Sequence, residues 1–328
     1  MRIKKVDYNI ANQRFDRYLR KYFKIYPEIK LNDIYSWIRK GMILVNNKKQ
    51  KEDYRLLLGD EIKFNNIEKW EKKPQNLASP KDKKKKNLNI DEFKNMIIYE
   101  DENWLVFDKP AGVVAHPSNQ HMDDLSMNDY LEKYCSIKNI AQEWETFKPS
   151  FGYRLDKDTS GVLIGAKNYD ALQYLNQIIR DREIDKEYIT IVSWKMPEHL
   201  ICEKAIEKTY SKKFGSSRMM VDQNWQDAKS EFWNIKTTEN ETLGTISMVK
   251  VKLYTWRMHQ IRIHLASEWF SVLWDIIYGQ AMINRKLYKQ LKINRQILHC
   301  SRYGFTNLDG KKISFEAKIP DDFKKLMK

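Results

Sequence analysis

Apolar residues recur along this chain at two spacings. Near the N-terminus the period is helical: Phe15, Tyr18, Leu19, Tyr22 and Phe23 fall on one stripe, and Leu31, Ile34, Trp37 and Ile38 fall on a second. Gly41 stops the second helix, residues 42–45 read as a strand, and Asn46-Asn47 turns the chain. Residues 56–58, the Gly59-Asp60 turn and residues 62–64 predict a closing hairpin. From about residue 93 short apolar runs take over. Residues 96–99 and 104–107 flank a turn-like 100–103, and Pro110-Ala111-Gly112 turns again. Residues 162–166, 188–192 and 246–253 read as further strands. Ser126 and Asn168 read as helix caps, the second helix carrying Leu172, Leu175, Ile178 and Ile179 on its apolar face. The pattern predicts an α+β chain: a small module over residues 1–68 and a large, mainly antiparallel-sheet domain over 93–328. Residues 69–92, with Pro74, Pro80 and the lysines of 83–86, bury too little apolar surface to fold and read as a basic linker.

Composition sharpens this picture only in part. Lys and Arg total 59 against 44 Asp and Glu, a formal charge of +15. Such a surplus favours a polyanionic partner, because each neutralised phosphate releases counterions. A Lys-rich proteome encoded by an AT-rich genome explains the same number. The cysteines Cys135, Cys202 and Cys300 are odd in number and form no CxxC pair, which argues against a disulfide framework or a zinc knuckle and fits a reducing cytoplasm. No apolar run reaches the ~20 residues of a membrane span, and the first residues lack an apolar signal core.

Two segments carry candidate chemistry. In Arg154-Leu155-Asp156-Lys157-Asp158-Thr159-Ser160-Gly161, polar turn formers lead into an apolar strand, and Asp156 has cations on both sides. Nearby positive charge favours an ionised carboxylate, suited to a nucleophile or an electrostatic stabiliser. An ordinary Asx turn built by Asp158, Thr159 and Ser160 accounts for the same residues. In Arg257-Met258-His259-Gln260-Ile261-Arg262-Ile263-His264-Leu265, Met258, Ile261 and Leu265 keep helical spacing, so His259 and Arg262 share a face. A buried Arg there would hold a carboxylate through a bidentate pair. The histidines lack HxxxH or HExxH spacing, so metal binding is the weaker reading, and a basic helix touching phosphate stays open.

Taken together these stretches resemble the RluA-type pseudouridine synthases. Residues 153–161 are similar to the family's HRLD-x-x-TSG motif, and Asp108-Lys109-Pro110-Ala111-Gly112 through His116-Pro117 to its NKPxGxxxHP stretch. Lys186-Glu187-Tyr188 is similar to its K-x-Y strand and residues 257–265 to GRTHQIRVHL. Asp275-Ile276-Ile277-Tyr278-Gly279, Leu298-His299-Cys300 and residues 315–320 match GDxxYG, LHA and FxAPxP in order. Ahead of them, residues 32–46 resemble the S-four-type (alpha-L) RNA-binding module, in which a helix, basic residues, a glycine and a strand dock on structured RNA.

The resemblance implies isomerisation of uridine to pseudouridine in structured RNA, large-subunit ribosomal RNA first among candidates, by a cytoplasmic monomer that needs no cofactor and no metal. Asp156 would be the catalytic carboxylate, acting at ribose carbon 1′ either by covalent attack or by removing a sugar proton. Tyr188 would stack on the uracil, Arg262 would pair with Asp156, and Arg154 would fill the gap left by the extruded base. His116, Arg257 and His259, with Arg39 and Lys40 of the front module, would contact RNA. His299 reads as a core histidine. The chain departs from the family pattern at Tyr153, where His is usual, at Met258, where Thr is usual, and at Trp256 and Trp274, where Gly is usual. Those departures keep a second reading open: a catalytically impaired RNA-binding or ribosome assembly factor of the same fold. A glycosidase-like use of Asp156 with Asp158 has little support, since side chains two apart on a turn diverge.

Overall fold

A computed structural model describes residues 2–7, 10–26, 29–65, 90–117, 124–138, 147–211, 216–221 and 227–328. The chain divides into two compact units. The first comprises Met1–Ile90, Asp129–Ser150 and Gly165–Gln173, and the second Asp91–Asn128, Phe151–Ile164 and Tyr174–Lys328. Most of the expected linker lies outside the described residues.

The strands and helices of the N-terminal stretch are β1 (Arg2–Lys5), α1 (Phe15–Tyr22), α2 (Leu31–Lys40), β2 (Ile43–Val45) and β3 (Glu61–Phe64). Both apolar stripes become buried helix faces except at Leu31, which stays exposed at the start of α2: Phe15, Tyr18, Leu19, Ile34 and Ile38 pack with Ile43, Val45, Ile62 and Phe64 in one core. Gly41 ends α2 at φ 73°, a left-handed conformation that costs glycine little. The predicted hairpin over 56–64 does not form. β3 pairs antiparallel with both β1 and β2 and lies between them. Leu56 pairs with the backbone of residues 12 and 13 instead, its N–H donating to Gln13 O (3.1 Å) and its carbonyl accepting from Asn12 N (2.7 Å), and the chain turns over 57–60, where the buried Asp60 carboxylate accepts from Leu57 N (2.8 Å), Asn46 Nδ2 (2.7 Å) and Tyr54 Oη (3.0 Å). Arg39 and Lys40 end α2 with their side chains exposed, as are those of Lys48 and Lys49 beyond β2.

The rest of the chain runs α3 (Ile90–Lys94), β4 (Ile97–Glu100), β5 (Trp104–Lys109), α4 (Met127–Ile137), β6 (Ser150–Phe151), β7 (Ser160–Ala166), α5 (Tyr169–Arg180), β8 (Ile184–Ser193), β9 (His199–Glu203), β10 (Ile206–Ser211), β11 (Ser216–Val221), β12 (Lys229–Asn240), β13 (Gly244–Leu253), α6 (Gln260–Ser267), α7 (Ala281–Lys286), β14 (Leu298–Thr306), β15 (Lys312–Glu316) and α8 (Asp321–Leu326). Ten strands form one mixed, mostly antiparallel sheet in the order β4-β5-β7-β14-β8-β13-β12-β9, with β15 on β14 and β6 on β7; β10 and β11 form a separate hairpin. The fold is α+β, as the mixture of periods predicts.

The central strands position the site. β7 is buried along its whole length and joins β14 in parallel, with Gly161 opposite Cys300. Gly161 has φ 115°, and a Cβ there would lie 2.1 Å from the Cys300 carbonyl oxygen. Only glycine lets these strands approach this closely, and the approach fixes the turn just before β7. β8 lies between β14 and β13, so Tyr188 faces neighbours on both sides.

Three tryptophans sit in the left-handed region: Trp194 (φ 73°), Trp269 (φ 69°) and Trp274 (φ 58°). For a bulky side chain this backbone costs roughly 1–2 kcal/mol. Trp194 and Trp269 are 55% and 84% exposed, so packing returns little of that cost. Replacing either by glycine relieves strain and adds back roughly 0.5–1 kcal/mol of chain entropy. We expect Trp194→Gly and Trp269→Gly each to raise the urea midpoint of unfolding, by about 0.5–1 kcal/mol of stability. A lowered midpoint in both would contradict the strain argument.

Candidate active site

Asp156 lies in the turn that leads into β7, its backbone carbonyl accepting from Thr159 N at 3.1 Å. The turn is tied down from several sides. The Lys109 ammonium, wholly buried at the end of β5, donates to the carbonyls of Pro110 (2.8 Å), Val113 (2.7 Å) and Lys157 (3.0 Å). Burial pushes Lys109 down to about 7, against the pull of Asp158 and Asp156. Gln296 Nε2 donates to Thr159 Oγ1 at 3.1 Å, and Ser160 Oγ meets His299 Nδ1 at 2.9 Å. His299 is thus a wall residue behind the turn. Burial pushes it down to about 4.

Arg262 projects from the first turn of α6. The loop before that helix is built by Gln260, whose amide is fully used. It accepts from Thr255 Oγ1 (2.8 Å) and Arg257 N (3.0 Å), and donates to Lys229 O (3.0 Å) and Ser230 Oγ (2.9 Å). The helix starts at Gln260, and His259 precedes it at φ 56°. His259 and Arg262 therefore do not share a helical face, contrary to the spacing argument; the Gln260 anchor bends the chain first. Both still reach Asp156. Arg262 Nη1 donates to Asp156 Oδ2 at 2.9 Å, and His259 Nε2 lies 3.8 Å from the same oxygen.

The expected bidentate partner is a different acid. Arg262 Nε and Nη2 donate to Asp275 Oδ2 and Oδ1 at 2.6 and 2.9 Å, which leaves Nη1 for Asp156. Asp275 is 1% exposed at its side chain and Asp156 27%. Burial alone would raise Asp275, but the Arg262 pair and the backbone N–H groups of Ile277 and Tyr278 outweigh it and hold the acid below its usual value. Burial likewise opposes the charge on Arg262, and the two carboxylates more than compensate. His259 is lowered, first by burial, and its Nδ1 meets Tyr278 Oη at 3.0 Å. The arrangement is one closed acid, one guanidinium and one acid left open to solvent.

Asp156 opens into a cavity of about 430 Å³, within the ~300–1,000 Å³ common for small-molecule sites. Tyr188, Arg154, Arg257, His259 and Arg262 line the same cavity. Tyr188 is 7% exposed, and burial raises its phenol well above the usual value. Arg154 stands exposed at the rim. His116 does not line this cavity; it packs edge-on against Phe151, centroids 5.9 Å apart, and burial lowers it. Arg39 and Lys40 belong to the first unit. The sequence motifs contain Asp275, Gln260, Lys109 and Lys186 without assigning any of them a role, because nothing in their spacing announces a buried partner. Among the described residues no group of His, Cys, Asp and Glu could hold a metal ion, and no helix is long and apolar enough to cross a membrane.

Two outcomes follow from this geometry. A lysine at 262 cannot span two carboxylates, and a misplacement near 1 Å costs on the order of 100-fold in rate. Arg262→Lys should therefore lose about 100-fold in single-turnover rate with RNA affinity within a few-fold of the parent; a rate within threefold would contradict the bridge. For His299, the unfolded chain binds a proton near pH 6.5 and the folded one only near 4. Its stabilising effect is whole above pH 6.5 and fades as pH falls towards 4, by roughly 3 kcal/mol at most. Chemical unfolding at pH 7 and 4.5 should show a smaller pH effect in His299→Gln than in the parent, and an equal one would refute it.

Comparison with known proteins adds the family. The profile described as RNA pseudouridylate synthase matches residues 103–267. The chain is 31% identical over 326 residues to ribosomal large subunit pseudouridine synthase C of Buchnera aphidicola subsp. Baizongia pistaciae, covering 98% of this chain and 94% of that protein. It is 28% identical to the protein of the same name from Escherichia coli (strain K12), covering 97% and 92%. Among solved structures, human RNA Pseudouridylate Synthase Domain Containing 4 superposes with a TM-score of 0.54 at 21% identity, covering 72% of this chain and 92% of that one. That likeness speaks to fold alone. With the profile spanning half of the chain and a 31% identical relative matched nearly end to end, this chain belongs to the RNA pseudouridylate synthase family.

Proposed function

We propose that this protein isomerises uridine to pseudouridine in large-subunit ribosomal RNA, with Asp156 as the catalytic carboxylate. The single observation that carries the reading is the shared guanidinium. Arg262 spends two N–H groups on the buried Asp275 and one on Asp156, so the open acid is oriented by a guanidinium at the mouth of a cavity lined by Tyr188. The named target of the curated relatives, the large ribosomal subunit, supports the choice of RNA.

In this reading a uridine leaves its stack, at a cost of a few kcal/mol, and Arg154 fills the space it vacates. Asp156 acts at the ribose. The bond between carbon 1′ and uracil nitrogen 1 breaks, and its electron pair stays with the base. The base turns, carbon 5 bonds to carbon 1′, and the proton lost from carbon 5 is matched by one gained at nitrogen 1. Atoms and charge balance without an external group. Tyr188 stacks on the uracil; Arg257 and His259 hold the adjoining backbone, and His116 contacts it further out. Residues 1–68 serve as an S-four-type RNA-binding module through Arg39 and Lys40, and residues 93–328 as the catalytic domain. Because Asp156, Tyr188 and Arg262 come from one chain, a monomer in the cytoplasm suffices.

Total RNA from a strain deleted for the gene provides the test. Incubation with the protein should create pseudouridine at discrete uridines of large-subunit RNA, mapped chemically, and Asp156→Asn should abolish every one of them. RNA binding without any new pseudouridine would favour an assembly factor instead.

A further inference from the structure

One buried cation in the Asp156 cavity, Lys186, has no counter-charge among the described residues. Lys186 stands on β8 two residues before Tyr188, on the same side of the strand, and lines the same cavity. It is 4% exposed. Its ammonium is surrounded by ring faces: Nζ lies 4.0 Å from the Tyr153 centroid, 4.8 Å from Tyr303 and 5.0 Å from Trp256. The acids beside it in sequence point to the other face, where Asp185 and Glu187 pair with Arg302 and Glu187 also with Lys250. The titratable groups nearest the ammonium are a thiol and phenols that burial keeps neutral. From β14 come the Cys300 thiol, which burial pushes up to about 12, and the Tyr303 phenol, raised well above its usual value. Ahead of β7 the Tyr153 hydroxyl donates to the Val162 carbonyl at 2.9 Å. On β8 Tyr188 is likewise raised by burial. Across the cavity, Asp156 is held by Arg262, with His259 beside it. Burial accordingly pushes Lys186 down to about 8.

Ring faces offer a cation some attraction but accept no hydrogen bond from it in the ordinary sense. A buried ammonium without an anion is costly, and such groups collect where a site awaits a charge. A second donor stands unused beside it: the Trp256 indole N–H is buried without a partner, and Trp256 lines the cavity too. The ligand that would satisfy the ammonium offers carbonyl oxygens and negative charge. Uracil matches, because the base that has just left the sugar carries the electron pair of the broken bond, spread over nitrogen 1 and its two carbonyl oxygens.

We propose that Lys186 donates to the carbonyl edge of the bound uracil and stabilises the negative charge the base holds between bond breaking at nitrogen 1 and bond making at carbon 5. This rests on the function proposed above. Lys186 keeps its proton throughout; it changes the energy of the detached base, not the count of protons.

The test is single-turnover conversion of a large-subunit RNA transcript between pH 6 and 9.5 by the full-length protein, Lys186→Met and Lys186→Arg. Removing one donor aimed at developing charge typically costs about 100- to 1,000-fold, so Lys186→Met should lose that much rate while binding the transcript with unchanged Kd. The parent rate should decline above about pH 8 as the ammonium loses its proton, and Lys186→Arg should lose that alkaline decline because a guanidinium does not titrate there. A folded, RNA-binding Lys186→Met within threefold of the parent overturns the proposal. So does an unchanged alkaline decline in Lys186→Arg, which decides the matter if the methionine variant fails to fold. A parent protein that converts no uridine at all sinks the proposed function itself, whereas an active parent with an equally active Lys186→Met sinks only this inference.

Discussion

A buried guanidinium has to be neutralised, and Arg262 is neutralised twice. Asp275 takes the planar fork of Nε and Nη2 with both oxygens, in a setting where its remaining acceptor capacity goes to the N–H groups of Ile277 and Tyr278. That pair is closed, and it orients the third N–H at Asp156. Removing either buried partner would leave an uncompensated charge, worth ~3–5 kcal/mol in comparable sites. Among the described residues the open carboxylate of Asp156 accepts one side-chain hydrogen bond, from Arg262. A fully paired Asp156 would have no lone pairs left for a sugar.

The sheet exists, from the site's point of view, to bring remote segments together. The turn bearing Asp156 is fixed by the close approach of Gly161 to β14 and by the three carbonyl contacts of Lys109. The helix bearing Arg262 is fixed by Gln260 and by His264, which meets Ser230 Oγ and Lys204 O at 2.9 Å each. Tyr188 and Lys186 come from a strand flanked on both sides. Each contributor is rigid for its own local reason, so their meeting needs no bound ligand to assemble it.

Helical and strand periods were legible where one face is buried: the stripes of Phe15 to Phe23 and Leu31 to Ile38 became the helices α1 and α2, and the runs around Met96 and Trp104 became the antiparallel pair β4 and β5. The hairpin expected at 56–64 failed because Leu56 pairs with the backbone of Asn12 and Gln13, more than forty residues away, a long-range pairing that no local pattern reveals. Asp156, Tyr188 and Arg262 were legible through ordered motifs, and the cavity brings them together. The second acid was not. Asp275 is thirteen residues from Arg262, beyond any helical or strand spacing, and only the fold turns one towards the other. Trp274, where the related motif has glycine, keeps the left-handed backbone that glycine would adopt.

The central claim is that an extruded uracil meets Asp156 in the cavity it shares with Tyr188. The most direct measurement is a crystal structure of the protein with an RNA fragment carrying 5-fluorouridine at a modified site. The account predicts the fluorinated base out of its stack, its ring against Tyr188, and its ribose carbon 1′ in contact with the Asp156 carboxylate. A base that stays stacked in the RNA, or that binds away from Asp156, would contradict it.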